Sequence, residues 1–226
     1  MRLNLKRFTA LLIVTLSLTA CQSVNEQEET QPEATTEEQI KARALQDEFT
    51  RSMLKSAQET EKGYYTLESK TGEYEMLFPA GGGIDGIGYK QNGESSESFL
   101  AGILYEDKSS AELRINYNTI LSNDETDIEY AKRFLTKNIG EDMTFERIDV
   151  KGKVMYIAPF KMKETGSYGY GAYVHPDKGW RGLEIIYSTS CTDKTKPCDP
   201  QEETFKKRAY KLISSVKFLN KNEAEK

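Results

Sequence analysis

Apolar and polar residues follow two different rhythms along the chain, and the rhythm changes near Gly63. Before it, apolar side chains recur at intervals of roughly four, a spacing that favours a helix. Thr36 and Gln39 have the spacing of a capping box at the start of this segment. We therefore predict a helix over residues 37–62 with a charged, solvated face.

After Gly63 the period falls toward two, and β-branched and aromatic residues lie between turn signals such as Asn92-Gly93 and Lys151-Gly152. This pattern predicts strands over residues 64–67, 74–78, 87–89, 99–105, 111–117, 145–150, 154–160, 168–174 and 183–188, with a short one at 216–218. A second helix is predicted from Thr126 to Gly140, and a third from near Pro200 through Ile213.

The order of these elements indicates the fold class. Helices and strands do not alternate regularly, as they would in a parallel sheet built from βαβ crossovers. We expect an α+β fold, an antiparallel sheet flanked by helices, in a single domain over residues 63–219 followed by a flexible tail at 220–226.

Both ends of this domain carry patterns of a known family. Residues 64–67 and 72–79 read YYTL and GEYEMLFP, and residues 210–218 read YKLISSVKF. A short hairpin that ends in an aromatic-Pro step, with a final helix leading into an S-x-x-F strand, resembles the Mog1/PsbP-like lipoproteins. The resemblance implies an α/β/α sandwich, an accessory or assembly role, and no shared catalytic motif.

The N-terminus has the organisation of an export signal. Basic residues within positions 2–7 precede an apolar run at 8–18 and two small residues at 19–20. The run is shorter than the roughly 20 residues that span a bilayer. We predict a signal peptide over residues 1–20.

Leu18-Thr19-Ala20-Cys21 follows, which resembles the lipobox of bacterial lipoproteins. The resemblance implies a diacylglyceryl group on Cys21, and two acyl chains suffice for stable anchoring. The anchor would lie in the outer leaflet of the cytoplasmic membrane of a Gram-positive cell or in the outer membrane of a Gram-negative cell. Residues 21–36 are polar and acidic, with almost no apolar side chains, and are predicted to form a flexible tether.

Charge and cysteine content narrow the choice of partners. The 226 residues carry a net charge of −5, so nothing favours binding to nucleic acid. Of the three cysteines, Cys21 would carry lipid, while Cys191 and Cys198 enclose a polar loop. In an exported protein this arrangement favours a disulfide, with a redox-active pair as the alternative.

Candidate chemistry is sparse. The chain has one histidine, His175, before a turn proline, and no nucleophile motif accompanies it. The run 81–86 matches G-x-G-x-x-G, but the predicted strand after it favours a hairpin loop over a dinucleotide site. We predict no catalytic residue, metal or cofactor.

An aromatic cluster leaves two interpretations open. Tyr168 and Tyr170 share one face of a predicted strand, and Trp180 and Tyr187 belong to the neighbouring segment. They either pack in the core or form a shallow surface for a peptide or glycan.

The sequence thus favours a non-catalytic, membrane-anchored lipoprotein of the cell envelope that binds, or assists assembly of, another envelope protein or peptide. One alternative is a surface-tethered hydrolase or carbohydrate-active enzyme with a carboxylate pair in a cleft. Another is a ligand-binding component of a transporter, which would need a deep pocket.

Overall fold

The computed structural model describes residues 43–120, 123–163, 165–190 and 202–219, all within one compact unit. Several predicted features lie outside the described residues: the signal peptide, Cys21, the tether, the Cys191–Cys198 pair and the tail at 220–226.

An antiparallel sheet of eight strands forms the centre of the fold. The strands of the chain are β1 (Tyr64–Glu68), β2 (Tyr74–Pro79), β3 (Gly82–Ile84), β4 (Lys90–Asn92), β5 (Ser96–Leu104), β6 (Ser110–Asn118), β7 (Glu146–Val150), β8 (Lys153–Lys161), β9 (Ser167–Pro176), β10 (Gly182–Ser190) and β11 (Lys217–Phe218). The helices are α1 (Glu48–Arg51), α2 (Glu125–Ile139) and α3 (Glu203–Ser215). The large sheet has the order β3-β5-β6-β10-β9-β8-β7, and β4 also pairs with β5.

One face of the large sheet is covered by α3 and by a small sheet of order β1-β2-β11. Helix α3 presents Leu212 and Ile213 to this main core, where Ile115 of β6 and Ile185 of β10 are also fully buried. The Ser215 hydroxyl at the end of α3 donates to the Leu212 carbonyl at 2.6 Å and accepts from the backbone N–H of Leu77 at 2.9 Å. The helix end is thereby joined to the small sheet.

Phe205 lies at the centre of an aromatic cluster in this core. Its ring centroid is 5.0 Å from that of Tyr168, 6.3 Å from Tyr170 and 4.8 Å from Tyr187. The Tyr187 hydroxyl is 2.7 Å from that of Tyr105, which gives both buried groups a partner. A binding surface that includes Tyr168, Tyr170 and Tyr187 is therefore wrong, because strand alternation turns all three toward α3 and at most 8% of any of them is exposed.

Helix α2 packs on the opposite face, over β8 and β9. Ile128, Ala131 and Leu135 meet three strand residues in a second core, namely Val154, Tyr156 and Tyr173. The Asp124 carboxylate caps the helix by accepting from the Asp127 N–H at 2.9 Å. Gly140 ends the helix with a left-handed φ of 80°. With helices on both faces of the sheet, the predicted α+β fold and α/β/α sandwich are confirmed.

The predicted helix over 37–62 is wrong beyond Ser52, and its first residues, 37–42, lie outside the described part of the chain. Residues 43–46 and α1 are helical, but Ser52 ends the helical region. Beyond it, the Lys55 N–H donates to the Thr66 carbonyl at 2.9 Å, and the Glu68 N–H donates to the Met53 carbonyl at 2.8 Å. These residues bond to the edge of β1, and this tertiary pairing overrides the helical pattern.

The glycine-rich segment also differs from its prediction. Residues 86–88 form a turn and Ile87 is fully exposed, so the predicted strand at 87–89 is wrong. Part of the predicted loop is instead strand β3. Gly82 is required there, because a β-carbon would lie 2.5 Å from the Phe78 ring.

None of the helices in the described part of the chain combines the length and apolarity needed to cross a bilayer.

The aromatic cluster gives a first testable prediction. Phe205→Ala should lower the free energy of unfolding by about 3–5 kcal/mol, because it removes the ring that three tyrosines contact. Urea denaturation followed by circular dichroism measures it. Trp180→Ala, which truncates a side chain that is 71% exposed, is the control and should cost less than about 0.5 kcal/mol. Equal losses in the two variants would contradict the packing described.

Candidate functional site

A groove crosses the α2 side of the large sheet, over strands β5, β6 and β10. It consists of two adjoining cavities of about 540 and 310 Å³. Four residues border both cavities: Leu100, Arg114, Asn138 and Ile186. Helix α2 forms one wall, so the groove begins where the helix stops covering the sheet.

Strand register places a cation between two aliphatic side chains at the centre of the groove. Arg114 of β6 is directly opposite Leu100 of β5 and Ile186 of β10. Its guanidinium lies 3.3 Å from a carboxylate oxygen of Glu112, and about half of each side chain is exposed. Such exposed pairs contribute at most about 1 kcal/mol, so the guanidinium is available to an anionic ligand group.

Glu184 is a buried carboxyl group at the smaller cavity. It is 5% exposed, and its Oε2 accepts from the Asn116 amide at 2.8 Å, the residue opposite it on β6. Phe134 and Leu135 of α2 line the same cavity. Burial raises the pKa of Glu184 to about 7, and the hydrogen bond from Asn116 opposes that rise. Near neutral pH this group can therefore either donate or accept a hydrogen bond.

The two carboxylates of the groove do not form a catalytic pair. Glu112 is opposite Ser188 and Glu184 is opposite Asn116, so they are four residues apart along paired strands. That spacing corresponds to about 13 Å, whereas glycosidases hold their carboxyl groups about 5–9.5 Å apart. The arrangement gives the carbohydrate-active alternative no support.

His175 belongs to the α2-side core and does not line the groove. It is 4% exposed, between the rings of Tyr156 and Tyr173 at 6.0 and 5.7 Å. Its Nδ1 lies 2.8 Å from the carbonyl oxygen of Pro176, so Nδ1 is the donor. Burial lowers the pKa of His175, because the protein interior disfavours the charged form of the ring. Across the described ranges, no three His, Cys, Asp or Glu side chains come together as a metal site would require.

Three of the four aromatic residues singled out from the sequence, Tyr168, Tyr170 and Tyr187, meet around Phe205 in the main core and do not line the groove. Of the four, Trp180 alone is exposed, and it precedes β10 outside the groove. The groove residues carry no local sequence signal because they are single polar or aliphatic side chains that come from three strands and one helix. The one available signal was Glu184, an isolated acidic residue in the apolar run 183–187.

Glu184 gives a pH-dependent prediction. Its folded-state pKa of about 7 lies above the ordinary 4.5, so the stability that protonation supplies is complete below about pH 4.5 and is lost as the pH rises through 7. The Glu184→Gln variant stays neutral. We expect it to gain about 2–3 kcal/mol relative to the unmodified protein between pH 5 and 8 in urea denaturation series. Glu112→Gln, in the same groove but half-exposed, should show no such trend, and parallel curves for all three proteins would contradict the burial of Glu184.

Comparison with known proteins identifies relatives of the whole domain. A family model described as "Putative lipoprotein YvcA" matches residues 40–217. A protein of that name from Bacillus subtilis (strain 168) is 28% identical over 192 residues, which cover 78% of this chain and 76% of the relative.

Two solved structures are similar at low identity. The Saccharomyces cerevisiae Ran-binding protein Mog1p aligns with a TM-score of 0.44 and 9% identity, covering 70% of this chain and 97% of its own. A Bacteroides thetaiotaomicron VPI-5482 protein aligns with a TM-score of 0.41 and 12% identity over 70% of this chain, which spans about half, 49%, of that protein.

The family match extends from the first described helical residues through the last helix and into the final strand, and it includes every strand that forms the groove. The resemblance to Mog1/PsbP-like lipoproteins is thereby confirmed, and the chain belongs to the YvcA_Mog1p family of lipoproteins.

Proposed function

We propose that this protein is a lipid-anchored, non-catalytic lipoprotein of the cell envelope that binds an extended segment of another envelope protein in the groove beside α2. The observation that carries the proposal is the central position of Arg114, an exposed cation between Leu100 and Ile186.

The anchor part of the proposal rests on the N-terminal sequence and on the family. Leu18 to Cys21 have the lipobox pattern, and the family model and the Bacillus subtilis relative are both described as a lipoprotein. A polar acidic segment at residues 21–36 would hold the domain away from the bilayer.

The chemistry of the groove favours a peptide with both apolar and acidic side chains. Leu100 and Ile186 offer aliphatic contacts, and Arg114 between them offers a partner for a carboxylate. Asn138 on α2 and Ser188 on β10 add polar groups along the walls. Mixed lining of this kind, apolar with a few convergent polar groups, is typical of binding sites.

No reaction is proposed for the groove. Its two carboxylates are too far apart to act as a pair, and His175 lies in a core away from it. Binding requires only the shape, the aliphatic floor and the charge that the groove offers.

The anchor is tested by Cys21→Ala, with Cys191→Ala as the control because it replaces a cysteine outside the lipobox. We expect most of the Cys21→Ala protein to leave the membrane fraction, since it lacks the acyl chains, while the control stays attached. Fractionation of cells followed by immunoblotting measures both. If Cys21→Ala sedimented with membranes as completely as the control, the anchor would be disproved.

The groove is tested by photo-cross-linking in intact cells. A photoreactive amino acid at position 100 should form a specific adduct with an envelope protein, and one at position 207, on the exposed face of α3, should not. Arg114→Glu should weaken the adduct at least tenfold, because it places a like charge against the acidic group of the ligand.

The control for this variant is Lys161→Glu, which makes the same change of charge at an exposed position outside both cavities. It should leave the adduct unchanged. Identical adducts from positions 100 and 207, or an adduct that survives Arg114→Glu, would exclude the groove as the binding site.

A further inference from the structure

A third cavity of about 630 Å³ lies at one end of the large sheet, where the β7–β8 hairpin, the β9–β10 turn and the end of α3 meet. None of the described residues that line it also lines the groove. Its charged lining residues are five cations and one anion, namely Lys151, Lys153, Lys178, Arg181, Lys217 and Asp177. We call it the cationic pocket. This excess of positive charge is local, because the whole chain has a net charge of −5.

Lys153 is the buried member of the cationic pocket. It is 9% exposed, and its ammonium donates to the backbone carbonyls of Ser214 and Val216. Within the described part of the chain it has no carboxylate partner. A buried charge without a counter-ion is costly, and an ammonium has a third N–H beyond the two that these carbonyls engage. Burial lowers the pKa of Lys153 to about 8, which reflects the missing counter-charge.

Two other cations are exposed at the mouth of the pocket. Lys151 is at the tip of the β7–β8 hairpin and Lys178 is in the turn after β9, and neither forms an ion pair with a described residue. A backbone contact joins the two loops: the Gly152 N–H donates to the Asp177 carboxylate at 3.1 Å, and the Asp177 N–H donates to the Gly152 carbonyl at 3.2 Å. These bonds hold both lysines beside the same cavity.

The remaining cations are fixed by carboxylates that lie outside the pocket lining. Arg181 contacts Glu73 at 2.6 Å, and Lys217 contacts Glu75 at 3.1 Å. Both contacts orient the side chains without placing a carboxylate inside the cavity. Asp177, the anion within the lining, is already engaged by the Gly152 N–H. The interior is therefore lined mainly by groups that attract negative charge.

We propose that the cationic pocket binds the phosphate group of an anionic ligand of about the size of a glycerol phosphate. Phosphate is the anion that several converging lysines and an arginine recognise best, since it has more than one charged oxygen to share among them. The volume exceeds what phosphate alone needs and falls within the range of small-molecule sites. Phe218, which is only partly buried, offers apolar contact to the rest of the ligand. The phosphate can come from a soluble ester or from a lipid headgroup.

The chain contains its own reporter of binding. Trp180 is the sole tryptophan of the sequence, it is 71% exposed, and it lies between Lys178 and Arg181 in one loop. Its emission can therefore be followed in the full chain, with Cys21→Ser present so that no lipid is attached.

The first arm titrates this protein with sn-glycerol 1-phosphate, and with sodium acetate at equal ionic strength. We expect a saturable change of Trp180 emission with glycerol phosphate and none with acetate. The Lys151→Gln/Lys178→Gln variant should raise the Kd at least tenfold. The matched control, Lys137→Gln/Lys161→Gln, removes two exposed charges elsewhere and should stay within twofold. Calorimetry on the same samples detects binding that leaves the emission unchanged.

The second arm separates the two sources of phosphate. The same proteins are sedimented with vesicles of phosphatidylglycerol or of phosphatidylcholine. Co-sedimentation with phosphatidylglycerol alone, lost in Lys151→Gln/Lys178→Gln and kept in the control pair, identifies a lipid headgroup. Binding of glycerol phosphate without vesicle binding identifies a soluble ester. Absence of binding in both arms, or equal binding by the two double variants, would overturn the proposal.

Discussion

Side-chain alternation along β10 is the constraint on which both cores and the groove depend. Leu183, Ile185 and Tyr187 face α3 and are fully buried, while Glu184 and Ile186 face the α2 side. A slip of one residue in the register with β6 would exchange the two sets. It would place the Glu184 carboxylate in the main core without its Asn116 partner, and such a group is costly to bury. Residues on both faces of β10 therefore fix its register with β6 and β9. The same register keeps apolar side chains in the main core and the groove residues on the opposite face.

The groove exists because the two faces of the sheet are covered unequally. Seven strands lie side by side across the large sheet, from β3 to β7, and at a spacing of about 4.8 Å they span about 29 Å. Helix α3 and a second sheet cover one face. Among the described elements, α2, about 10 Å wide, covers mainly β8 and β9 on the other face and reaches the edge of β10 at Ile186. Strands β5, β6 and β10 are left to present Leu100, Arg114 and Ile186 to solvent beside the helix. A second helix on this side would have converted the groove into core.

Local patterns predicted most of the fold, and long-range pairing accounts for what they missed. The strands between residues 99 and 188, the α2 helix and its end at Gly140 follow from alternation and capping within short windows. The predicted helix failed after Ser52 because residues 53–55 bond to β1, a partner that no local window contains. The groove was beyond prediction for the same reason. Strand β10 lies between β6 and β9, so Ile186 meets Arg114 from a distant part of the sequence. The cationic pocket is likewise formed by two turns and the end of a helix, which are far apart in the sequence and share no local pattern.

The groove and the cationic pocket differ in chemistry, and they lie on opposite sides of the sheet. Lys153 shares the face of β8 that α3 covers, whereas Val154 next to it packs under α2. The pocket is lined mainly by positively charged side chains near the ends of strands. The groove combines an aliphatic floor with Glu184, whose pKa of about 7 allows its protonation state to vary near neutrality. Because no described residue lines both, a peptide in the groove and a phosphate in the pocket would contact separate sets of side chains. Charge changes in one should leave the other intact, since the side chains involved are screened by solvent and separated by the thickness of the sheet. The same domain can therefore hold an anionic group at one end of its sheet while the groove remains free for a protein partner.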